Sequence, residues 1–166
     1  MAYRVLFVSI LTTALMFMAS CSSSDEPAVV FPPLTLPSPP TPIFSGDCAD
    51  TPTLEAWLQT IQFQQRDFST LMDELRSQSE QALYLSIEQL ALLHIRISEE
   101  PAPDCGADLH QAVLGIMDAV VQELQTYVNA DSGNLDEIIE NGQLAFNGLL
   151  PQQAELLNRL ETQYQN

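Results

Sequence analysis

The side chains with ligand or nucleophile chemistry in this chain are two histidines, three cysteines and five methionines. His94 falls between Leu90 and Ile97 on an apolar stripe. A buried imidazole at such a place in a helical bundle could ligate haem or a metal, with Met72 as a soft partner. The competing reading is a core histidine bonded to a neighbour, and Met72 and Met117 as ordinary core filler. The Glu-x-x-His pattern of di-iron bundles is missing, because Ala91 and Ala107 stand three residues before His94 and His110. No Cys-x-x-Cys-His run offers covalent haem attachment. No Gly-x-Ser-x-Gly, glycine-rich phosphate loop or cysteine–histidine pair at ligand spacing points to catalysis. The pairs Asp73-Glu74, Glu99-Glu100 and Asp136-Glu137 read as solvated helix ends and faces. Asp131-Ser132-Gly133-Asn134-Leu135-Asp136 misses the calcium-loop pattern, since Val128 would be the first ligand if Gly133 were the sixth position. A surface calcium site of Asp131, Asp136 and Glu137 is the alternative to a capped turn. The expectation is a protein without cofactor or metal that is not an enzyme.

Cys21 stands in a different context. Before it runs an apolar stretch from Val5 to Met18, with Arg4 ahead of it and the small Ala19 and Ser20 behind. After it come Ser22, Ser23 and Ser24 and a proline-rich segment. The apolar stretch is shorter than the roughly 20 residues of a spanning helix, which disfavours a plain transmembrane anchor. A soluble secreted protein with a generic cleavage region is the other reading. Met18-Ala19-Ser20-Cys21 resembles the lipobox of bacterial lipoproteins. That resemblance implies cleavage before Cys21 and lipidation of its side chain, and it covers only about the first 26 residues. Ser22 in place of aspartate implies the outer membrane in a host with two membranes. In a host with one, it implies the outer face of the cell membrane. With Cys21 assigned to lipid, Cys48 and Cys105 remain as an even pair in an oxidising compartment, and a disulfide between them is the expectation. It would close a loop of about 58 residues, worth on the order of 4 kcal/mol in the chain-entropy model.

Charge narrows the partners. The chain carries 22 acids against five arginines and no lysine, a formal −17. Loss of Arg4 with the signal leaves four arginines against the same 22 acids, a formal −18. A field of that sign repels phosphate backbones, so nucleic acid is excluded as a partner. It suits an envelope protein with a basic surface, a cationic ligand or divalent ions; the plainer reading, and the favoured one, is that it keeps an exported protein soluble.

These residues imply three segments: a signal peptide over 1–20, a lipidated Ser/Pro-rich tether over 21–47, and a helical domain over 48–166. Seven prolines between Pro27 and Pro42 favour extended polyproline II, and 26 positions at about 3.1 Å each reach roughly 80 Å. Val29, Val30, Phe31, Leu34 and Leu36 are too apolar for a pure spacer, so some of them are expected against the domain. In the domain, three-and-four spacing of apolar residues predicts four helices near 52–76, 78–98, 105–129 and 134–164, the last kinked at Pro151. Thr51 is the expected first N-cap, with Pro52 at the first helical position, and Asn134 or Asp131 the last cap. No glycine or proline interrupts 53–98, which would allow one helix of about 69 Å. That helix would hold Cys48 and Cys105 far apart, whereas a disulfide needs Cα atoms within about 7 Å. A reversal near Arg76–Ser79 follows, with Ser77 and Glu80 spaced as a capping box. The fold class is therefore all-α, an antiparallel up-down four-helix bundle.

Overall fold

The computed structural model describes residues 32–45, 48–130 and 132–165. Cys21 and the signal segment lie outside the described residues. Five helical segments follow one another: α1 Thr51–Leu75, α2 Glu80–Glu99, α3 Ala107–Ala130, α4 Leu135–Asn147 and α5 Leu150–Tyr164. A 3-10 turn, Asp104–Gly106, leads into α3. No strand occurs among the described residues; Phe44 and Ala102 form an isolated parallel bridge. Helix α1 packs on α2, α2 on α3, and α3 on α4, while α4 and α5 together close the ring on α1. The bundle thus has four sides, the fourth built from two successive pieces.

The reversal between α1 and α2 lies where the cysteines required it. Three successive three-residue bonds, from Arg76 N, Ser77 N and Gln78 N to Asp73 O, Glu74 O and Leu75 O, tighten the end of α1 until it stops. The expected capping box does not form. Ser77 Oγ donates back to Glu74 O at 3.2 Å, and Ser79 instead caps α2 by accepting from Ala82 N at 3.5 Å. The start of α1 also shifts by one residue. Asp50 is the N-cap and Thr51 the first helical residue, its hydroxyl taken by Gln163 of α5 at 3.0 Å. At the α3–α4 turn Gly133 adopts φ 104°, and Asn134 caps α4 through Asp136 N at 3.0 Å.

The expected kink falls at Gly148 and Leu149. Gly148 N is shared between Leu144 O and Ala145 O, and Leu149 N turns back to Phe146 O at 3.0 Å. The helix then restarts at Leu150, which places Pro151 in a first turn, where no N–H is needed. The apolar phase survives the break, because Ile139, Gly142, Phe146, Leu149, Gln153, Leu156 and Leu160 are all buried.

Leu54, Leu58, Ile61, Phe68, Met72 and Leu75 of α1 are each at most 1% exposed and share one core with Ile87, Leu90, Ile97, Met117, Leu124 and Ile139. Phe68 meets Phe146 edge-on at 5.8 Å. Gly142 brings α4 close: a Cβ there would stand 2.8 Å from Val120 Cγ2 and 3.2 Å from Met72 Sδ. Buried polar groups accompany the apolar ones. Gln153 Nε2 donates to Gln65 Oε1 at 2.6 Å across the α1–α5 seam.

The described part of the proline-rich segment is no free spacer. Leu34 is buried, and its carbonyl accepts from Gln125 Nε2 at 2.7 Å and Asn129 Nδ2 at 2.9 Å. Its N–H donates to Asn129 Oδ1 at 2.7 Å. Leu36 packs against the same core. Ten residues on, Ala102 N donates to Ile43 O and Ser45 N to Ala102 O. Residues 34–44 therefore run as an extended strap along α3, from its C-terminal half back to its start.

Two glycines should respond oppositely to substitution. Gly115 is exposed within α3 and a Cβ there meets nothing within 4 Å, so Gly115→Ala should stabilise the fold by about 0.5–1 kcal/mol. Gly142→Leu should destabilise it by about 1–3 kcal/mol, because Val120 is stiff. Urea unfolding of both variants measures the difference; equal shifts would contradict the close approach at Gly142.

Candidate functional site

The disulfide and the two histidines sit at or near the strap end of the bundle. Cys48 and Cys105 are bonded with their Cα atoms 5.9 Å apart, and Cys105 N approaches Cys48 Sγ at 2.7 Å. The reversal at 76–79 makes this possible by returning α2 to the end where α1 began. Gln163 Nε2 donates to Cys48 O at 3.1 Å, so the last turn of α5 is tied to the same corner.

His110 lies one turn into α3 and is fully buried. Phe44 of the strap stands edge-on to its ring at 6.2 Å, and Trp57 of α1 lies tilted to it at 6.1 Å. Gly106 is there because Trp57 leaves no room: a Cβ would approach the indole to 2.5 Å. Neither His110 nitrogen has a hydrogen-bond partner, and neither has Trp57 Nε1. Burial holds the His110 imidazole below its ordinary pKa and favours the neutral ring. His94, buried on α2, is also pushed down by burial, with Asp118 of α3 pulling the other way.

His94 and Met72, the sequence-predicted ligand pair, are both buried. Met72 is completely buried with its sulfur against Gly142. Among the described residues, no group of three or more His, Cys, Asp or Glu is placed to hold a metal ion. In the calcium alternative, Asp131 lies outside the described residues, Asp136 pairs with Arg76, and Glu137 is exposed beside the turn. Asp73 accepts from Gln143 at 2.6 Å. Glu99 is exposed and Glu100 half-buried, where solvated helix-end carboxylates belong.

The feature that sequence reasoning missed is an open groove between α3 and α4. Two adjoining cavities of about 550 and 340 Å³ share Ala119, Glu123, Ile138 and Asn141. Ile138 and Val120 form the buried floor; Ala112, Gly115 and Ala145 keep the walls low. Glu123 and Glu137 are its charged lining groups, and no cation lines it among the described residues. The available signal was the run of small residues at 112, 115 and 119, next to the core stripe of the same helix.

No helix among the described residues is long and apolar enough to cross a membrane. Comparison with protein-family models, curated proteins and solved structures finds no match.

Two measurements test this corner. The unfolded chain titrates its histidines near the ordinary value of 6.5, whereas the native state holds His110 and His94 below it. Below about pH 6.5 the unfolded state therefore binds more protons, and stability should fall as pH drops toward the lowered native values. His110→Leu should reduce that fall; an unchanged pH slope in urea midpoints would contradict the buried neutral ring. Replacing both cysteines by serine should cost about 2–5 kcal/mol by chemical denaturation, and no loss would deny the disulfide its role as a staple.

Proposed function

We propose that this chain is a lipid-anchored protein displayed outside the cell membrane, whose helical bundle serves as a non-catalytic interaction module of the envelope. The observation that carries the location is Met18-Ala19-Ser20-Cys21 behind an apolar stretch, with a Ser/Pro-rich segment after it. The bonded pair Cys48–Cys105 supports an oxidising compartment, and it leaves Cys21 as the cysteine without an internal partner in this scheme. Ser22 favours the outer membrane in a two-membrane host and otherwise the outer face of the cell membrane. The strap then links the lipid to the bundle.

An interaction role is favoured by the acidic surface and the open α3–α4 groove, which together suit an envelope protein with a basic surface and repel nucleic acid. The rival, a small-molecule-, haem- or metal-cation-binding bundle using His94 and Met72, has weaker support because the Met72 sulfur is packed against α4.

The test is the intact mass and membrane partition of the protein made in its own host, beside Cys21→Ser. The wild type should carry an acylated N-terminal cysteine and enter the detergent phase, and the variant should lose both properties. An unlipidated wild type would overturn the anchor.

A further inference from the structure

We infer that the α3–α4 groove is a docking site for an extended, basic and apolar peptide segment of a partner protein. The assignment rests on the interaction-module reading above and deepens it. The molecule already shows how α3 holds an extended chain. On one flank, Asn129 grips both the N–H and the carbonyl of Leu34 while the leucine side chain is buried. Ala119 and Glu123 lie about a third of a turn around the helix from Gln125 and Asn129, on the opposite flank. That flank offers the same ingredients, with no strap lying in it among the described residues: a floor of Ile138 and Val120, and an exposed amide at Asn141, which lines both cavities.

Length and charge select the occupant. From Ala112 to Thr126 the groove follows α3 for about 21 Å, the span of about six or seven extended residues. Low walls at Gly115, Ala119 and Ala145 let a backbone approach closely, and alternate apolar side chains would reach the floor. Glu123 and Glu137 stand at its edge and call for lysine or arginine on the remaining positions. A second copy of this chain is a poor occupant, because each copy carries a formal −17 and would bring the same acidic rim.

The probe is a fluorescent heptapeptide alternating lysine with valine and leucine, beside a counterpart with glutamate for lysine, read by anisotropy on the full chain. The basic peptide should bind and the acidic one should not. Ala119→Trp, which fills the groove from an exposed position, and Glu123→Lys should each weaken binding about tenfold or more. Glu155→Lys makes the same charge change on α5 and should leave binding unchanged. Amide shift changes in the wild-type protein should cluster on 112–126 and 134–145, which guards against a misfolded variant. The inference is overturned if the basic peptide does not bind, if shifts map elsewhere, or if both charge variants weaken binding alike while Ala119→Trp is silent. Partition through Cys21 does not involve the groove, so loss of the groove with the lipid intact leaves the location standing.

Discussion

Cys48 and Cys105 lie at the two ends of a helical hairpin, and their bond obliges that hairpin to close. Two helices of 25 and 20 residues separate them. The Cα atoms meet at 5.9 Å only because α1 stops at Leu75 and α2 restarts at Glu80, so that the second helix retraces the first. Much else follows from that corner. Ala102, between α2 and Cys105, receives the strap at Ile43–Ser45. The 3-10 turn that carries Cys105 also carries Gly106, to which Trp57 comes close enough to exclude a Cβ. Gln163 reaches Cys48 from the far end of the chain, so both ends of the helical domain meet at one covalent knot.

The bundle is not uniformly apolar behind that knot. Gln65 and Gln153 satisfy each other across α1 and α5, whereas Gln64 Oε1, Trp57 Nε1 and both His110 nitrogens are buried without partners. Leaving such groups unpaired costs about 1–3 kcal/mol each, so this core gives away stability that an all-leucine core would keep. A paired glutamine seam rewards one register of α5 on α1, since sliding by one residue would bury two lone amides. His110 earns no such return from within the bundle, and its neutral form is the one the fold tolerates.

Helix α3 carries the most varied duties. Its inner face fills the core, one flank grips the strap through Gln125 and Asn129, and the other flank stays open beside α4. The open flank exists because Ala112, Gly115 and Ala119 are small while Gly142 draws α4 in at depth. Small residues outside the core stripe lower the walls without disturbing the interior.

Four helices, their approximate ends and the antiparallel order were legible from apolar spacing, from Pro52, Gly133 and Pro151, and from the demand that two cysteines meet. Local rules suffice there, since helix phase and chain breakers depend on residues within a turn or two. They misplaced caps by a residue or two at Thr51 and Ser77: the hydroxyl of Thr51 is claimed by Gln163, 112 positions away, and that of Ser77 turns back to Glu74 O. The strap's attachment was half legible: Leu34 and Leu36 looked too apolar for a spacer, but Asn129 as its clamp did not announce itself. The burial of His110 and the Gln65–Gln153 pair belong to tertiary structure alone, and of the groove the sequence showed only the small residues at 112, 115 and 119. Each is a property of surfaces brought together from distant parts of the chain, and whether a polar side chain is paired, stranded or solvated is decided only by what the opposing surface presents.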